Sequence, residues 1–141
     1  MSGTSGLSVA IVFVWLGMVA AISFIEAPLK FRAPDVTIRI GLGIGRLVFR
    51  ALNTIELVFA VVIVGAVAID RPDTWAMITL VIPVVVLAVQ LGVVRPRLTR
   101  RSDLVLSGQD PPGSRVHYVY IALETAKVIA LALAGIVLLN S

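Results

Sequence analysis

The stretch Leu57-Val58-Phe59-Ala60-Val61-Val62-Ile63-Val64-Gly65-Ala66-Val67-Ala68-Ile69 decides the class of this protein. Every position is apolar or glycine, so a helix drawn through it has no polar face. A membrane barrel strand would alternate apolar and polar residues, and this run does not. In water its β-branched residues would weaken a helix. In hydrocarbon the backbone must satisfy its own hydrogen bonds, and for a single apolar segment helix is the solution. The run is the heart of a membrane-spanning helix.

The rest of the chain agrees. Of 141 residues, 59% are hydrophobic and 14% charged, whereas soluble domains average about 45–50% apolar and about 25% charged. The mean hydropathy is +1.04. Crossing a hydrocarbon core of about 30 Å takes about 20 residues. Four segments qualify, at residues 7–27, 42–69, 75–94 and 117–140. The expectation is an all-α, four-helix transmembrane bundle forming a single integral membrane domain over residues 1–141. The first segment has no charged leader and is too long for a signal-peptide core, so it is read as a retained span. Asp70-Arg71-Pro72-Asp73 is a tight turn, with Asp73 or Thr74 as the next N-cap, which makes spans two and three an antiparallel hairpin. The other two connections are longer, carrying Pro34 and the loop signal Gly108-Gln109-Asp110-Pro111-Pro112-Gly113.

Charge sets the orientation. Residues 28–41 hold Lys30, Arg32 and Arg39 against Asp35. Residues 95–116 hold Arg95, Arg97, Arg100, Arg101 and Arg115 against Asp103 and Asp110. Arg71 is the basic residue of the short turn, and both chain ends have none. The positive-inside rule therefore places both longer loops in the cytoplasm and both termini outside, in a protein integral to the cell membrane. The net charge of +4 flanks apolar spans, so the lipid bilayer is the expected partner and nucleic acid is not. The chain has no cysteine and one histidine. That excludes disulfides, thiolate chemistry and a multi-histidine metal centre. No metal site, catalytic residue or cofactor is indicated.

Polar residues inside the spans are the functional candidates, because ionisable groups in hydrocarbon are expensive and default to functional roles. Arg46, Arg50, Asn53 and Glu56 fall at spacings of four, three and three in the second span. His117, Tyr120, Glu124 and Lys127 fall at three, four and three in the fourth. Glu26 lies near the end of the first span, before Pro28, where that helix is expected to kink or stop. Gln90 lies in the same half of the third span. Three glutamates and the bases Arg46, Arg50 and Lys127 would form one neutral network in the loop-bearing half of the bundle. Tyr118 with Tyr120, and Trp75 at the other face, suit interfacial belts. Trp15, at mid-span, suits packing. In Gly41-Leu42-Gly43-Ile44-Gly45 a dinucleotide site would need a preceding strand and a following acidic residue, both missing. Those glycines instead let residues 26–31 approach closely or give span two a flexible entry. Gly17, Ala21 and Gly65 are expected to allow tight helix packing.

Trp15-Leu16-Gly17, Ala27-Pro28-Leu29 and the pair Gly45-Arg46 with Arg50-Ala51-Leu52-Asn53 resemble small bacterial four-span integral membrane proteins of uncharacterised function. The resemblance covers about the first third of the chain. It implies a membrane fold and transfers no site.

The function expected from these features is binding or translocation of a proton, ion or small polar solute through the Glu/Arg/Lys cluster. Four spans are few for alternating access, which would favour a homo-oligomer or a partner membrane subunit. One alternative is a structural or assembly subunit of a larger membrane complex. Another is a membrane enzyme acting on a lipid-soluble substrate, with Glu124 or His117 as acid or base. The orientation is checked by accessibility labelling: Ser2→Cys and Ser141→Cys should react from outside and Ser102→Cys from the cytoplasm.

Overall fold

A computed structural model of the chain describes residues 3–108 and 116–140, with the side chains of Val116 and His117 outside the described set. The protein is an all-α bundle of four helices long and apolar enough to cross a membrane. Helix α1 is Gly3–Arg32, α2 is Ile38–Ile69, α3 is Thr74–Leu106 and α4 is Val116–Leu139. The described residues contain no strand.

The helices overrun the loops expected at residues 28–41 and 95–116. Helix α1 continues past Pro28 to Arg32, α2 starts four residues early at Ile38, and α3 continues past Pro96 to Leu106. Thr37 explains the early start, because its Oγ1 accepts from the Ile40 N–H at 3.2 Å and caps the helix. The two prolines need a different device. A proline inside an α-helix lacks a donor and its ring crowds the carbonyl four residues back. Here each proline directly follows a widened π segment, Ala20–Glu26 before Pro28 and Gln90–Val94 before Pro96. The Ala27 N–H donates to Ile22 O and the Arg95 N–H to Gln90 O, both five residues back. This one-residue bulge moves the carbonyls out of α register, and the helix passes through the proline instead of ending. A helix of 30 residues is about 45 Å long at about 1.5 Å per residue, longer than a core of about 30 Å. Across such a core the basic ends of α1 and α3 would extend beyond the hydrocarbon.

Helix α4 packs against both α1 and α3, and α1 also packs against α2. Val12, Trp15, Leu80, Leu87, Leu131 and Ala134 form the middle of the shared core. Large apolar residues such as Leu47, Val61 and Ile136 cover the outer surface, as lipid-facing helices require. Close backbone approach is made at Gly135, where an added Cβ would lie 2.5 Å from the Phe13 ring. Gly17 and Gly65 do not serve this purpose, since a Cβ there meets open space, and Ala21 is exposed. All three fall on outward faces once Trp15, Val19, Ile63 and Ala66 take the inward ones. The expected approach at the start of α2 does occur: Phe31 packs on Gly41, and Lys30 Nζ lies 2.9 Å from where a Gly45 Cβ would sit.

The turn between α2 and α3 is closed by Asp73, whose Oδ1 accepts from the Ala76 N–H at 2.9 Å. Asp73→Ala should lower stability by about 1 kcal/mol and Asp73→Asn by a few tenths, measured by thermal unfolding in detergent.

Candidate functional site

On α2 the buried positions Gly41, Gly45, Leu52, Glu56, Ala60 and Ile63 recur at helical spacing and carry Glu56 to the bundle axis. On α4 the inward set includes Tyr120, Glu124, Lys127, Leu131 and Ala134. Helix α3 contributes Gln90 and α1 contributes Trp15 and Ser23, so all four helices meet at one polar cluster. Lys127 is at its centre. Its Nζ lies 2.5 Å from Glu56 Oε1, 2.6 Å from Glu124 Oε1 and 2.8 Å from Gln90 Oε1. An ammonium has three protons to donate, and here each has an acceptor.

The carboxylates are held by further donors. Trp15 Nε1 donates to Glu56 Oε1 at 2.8 Å, Gln90 Nε2 to Glu124 Oε1 at 2.8 Å, and Ser23 Oγ to Glu124 Oε2 at 2.5 Å. Glu56 and Lys127 are 0% exposed, and Glu124 and Gln90 are 1% exposed. One oxygen stands apart: Glu56 Oε2 is buried with no hydrogen-bond partner among the described residues. The cluster therefore pairs two carboxyl groups with one ammonium, and with both ionised it would be short of one positive charge.

This is narrower than the network expected from sequence. Glu56, Glu124 and Lys127 come together, and the other bases do not join them. Arg50 is exposed, because residues six apart project about 120° apart on a helix and Glu56 takes the inner face. Arg46 pairs with Asp103 at 2.7 Å, a partner that exists because α3 continues as helix past Pro96. Glu26 faces Lys30 one turn on, at 3.8 Å, and makes no contact with Lys127. Asn53 is half-buried and has no polar contact with the cluster. The His117 side chain lies outside the described residues. Trp15, expected to serve only in packing, is a donor to the cluster as well. Ser23 had no signal in the sequence. It lies in the π segment of α1, where the phase departs from the α repeat that sequence spacing assumes.

Above the cluster, toward the loop-bearing end, the four helices enclose a cavity of about 480 Å³. Ser23 and Glu124 border it below, and Lys30, Arg46 and Arg95 bring positive charge to its wall. Phe49 lies between these charges, with Lys30 Nζ 5.8 Å and the Arg95 guanidinium 5.3 Å from its ring centre. Tyr120 meets Phe49 edge-on, 6.0 Å between centroids, and its buried hydroxyl has no partner among the described residues. No grouping of three metal-ligating side chains occurs among the described residues.

Set against protein families, curated proteins and solved structures, the chain finds no match. The site must be interpreted from its own chemistry.

Removing the central cation should be costly, because it leaves two buried carboxyl groups facing each other. Lys127→Met should destabilise the bundle by about 3–5 kcal/mol, the range for breaking a buried ion pair on one side. Adding Glu56→Gln and Glu124→Gln should restore most of the loss, since neutral amides need no counter-charge. Thermal unfolding of the single and triple variants in detergent measures both effects.

Proposed function

We propose that this integral membrane protein binds a proton at the Glu56–Glu124–Lys127 cluster, and that the proton reaches it from the loop-bearing side. The observation that carries the proposal is the buried Glu56 Oε2, without a hydrogen-bond partner among the described residues, beside a single shared ammonium. Two ionised carboxylates around one lysine leave a net negative charge inside hydrocarbon, where an unneutralised charge costs several kcal/mol. One bound proton makes the cluster neutral. Oε2 is the position for it, since the other three carboxylate oxygens already accept hydrogen bonds.

Access supports the same direction. The cavity reaches Glu124 and Ser23 from the end bearing Lys30, Arg46 and Arg95, which the positive-inside rule assigns to the cytoplasm. On the opposite side the cluster is closed by Trp15 and the apolar core of Val12, Leu80 and Leu131. A proton entering from the cavity meets Glu124 first. Lys127 then gives one of its own protons to Glu56 Oε1 and takes one back from Glu124 Oε1. One proton thus moves between the carboxyls, and a turn of the Glu56 carboxyl carries it to the Oε2 position. This arrangement fits a one-sided proton site of the kind that couples protonation to a change in helix packing, alone or within a homo-oligomer.

Infrared difference spectroscopy on acidifying the reconstituted protein should show a protonated-carboxyl C=O band that disappears in Glu56→Gln. In a Trp75→Phe background, the fluorescence of Trp15 should follow the same titration, because its N–H donates to Glu56. A carboxyl band unchanged by Glu56→Gln, with Trp15 insensitive to pH, would overturn the proposal.

A further inference from the structure

The cavity holds two donors that the proton site does not use. Arg95 is half-buried on its wall and has no carboxylate within ion-pair distance among the described residues, whereas Lys30 faces Glu26 and Arg46 faces Asp103. Tyr120 is 6% exposed and its hydroxyl has no hydrogen-bond partner among the described residues. A buried hydroxyl without an acceptor is a cost that a ligand oxygen would remove. The Arg95 guanidinium, which interacts electrostatically with Tyr120 and Glu124 and makes no ion pair among the described residues, can take an anion, and its planar fork suits the oxygens of a phosphate.

The remaining walls say where that anion comes from. Phe24, Phe31 and Ile121 line the cavity and are also exposed on the outer surface of the bundle. The cavity is thus bounded by side chains that face acyl chains, at the level where Lys30, Arg46 and Arg95 meet the headgroups. Its volume, about 480 Å³, lies within the range of about 300–1,000 Å³ that small-molecule sites occupy. The chemistry is apolar on one side and cationic at one end, complementary to an anionic amphiphile. We infer that the cavity binds one anionic phospholipid from the surrounding leaflet, its phosphate held by Arg95 and Tyr120 and its upper acyl chain lying against Phe24 and Ile121. Lys30 and Arg46 add long-range attraction while remaining in their own ion pairs. This site goes beyond the proton reading and does not depend on it.

Native mass spectrometry of the purified protein, with dioleoyl phosphatidylglycerol titrated against dioleoyl phosphatidylcholine, tests the inference. One phosphatidylglycerol per chain should be retained in preference to phosphatidylcholine. Arg95→Gln should weaken that retention about tenfold or more, the scale of a charge-assisted hydrogen bond. Tyr120→Phe, which keeps the ring and its contact with Phe49, should weaken it several-fold. Arg100→Gln, an exposed base that does not line the cavity, should leave it unchanged. Equal retention of the two lipids would overturn the inference. So would unchanged binding in Tyr120→Phe, or an Arg100→Gln loss matching that of Arg95→Gln. Inorganic phosphate displacing the lipid at equal concentration would assign the cavity to a soluble anion and reject a lipid occupant.

Discussion

One ammonium group organises this bundle. Lys127 satisfies all three of its protons on side chains from α2, α3 and its own helix, and the two carboxylates among those acceptors are in turn held by α1. Helices in lipid gain little from apolar contact alone, because the tails around them are as apolar as leucine. A polar knot with directional bonds to every helix therefore does what a hydrophobic core does in water: it selects one rotation of each helix. Below the knot the contacts are generic, with alanine and leucine facing valine and tryptophan. Above it the helices spread far enough to leave a cavity.

The class of fold was legible because it rests on composition and run length. A stretch such as residues 57–69 permits one secondary structure in hydrocarbon, and four such stretches permit few arrangements. The inward position of Glu56, Glu124 and Lys127 was also legible, since burying three charged groups in lipid forces them toward each other. The wider network was not. Arg46 and Arg50 share a rough face with Glu56, and helical spacing alone does not tell which edge of that face turns inward. Resolving it takes Asp103, which draws Arg46 toward α3, and Asp103 is within reach because the chain beyond Pro96 stays helical.

Prolines produced the other differences. Pro28 and Pro96 signal helix ends by the rule that holds for α register, and the rule fails where a π turn comes first. The first of these turns places Ser23 in the cluster, whereas Gln90 follows Leu87 at ordinary α spacing and opens the second. A serine in an apolar helix carries no pattern by itself, and its role emerges once the change of phase is known. Lys30 likewise reads as a loop charge in the sequence, yet it lies over Gly45 at a cavity wall.

The two π turns also bear on how such a chain can change over time. Each contains one residue more than an α-helix needs for the same rise, so each is an insertion that the helix has absorbed. Deleting a residue from Ala20–Glu26 or Gln90–Val94 would let the turn relax to α and leave the segments on either side intact. The helix beyond would keep its phase relative to its neighbours, while in α1 Ser23 would leave the cluster. Length variation at these two places would thus be structurally mild, and in α1 chemically decisive. In homologous chains, alignment gaps there would mark proteins that share the bundle and have lost part of its polar centre.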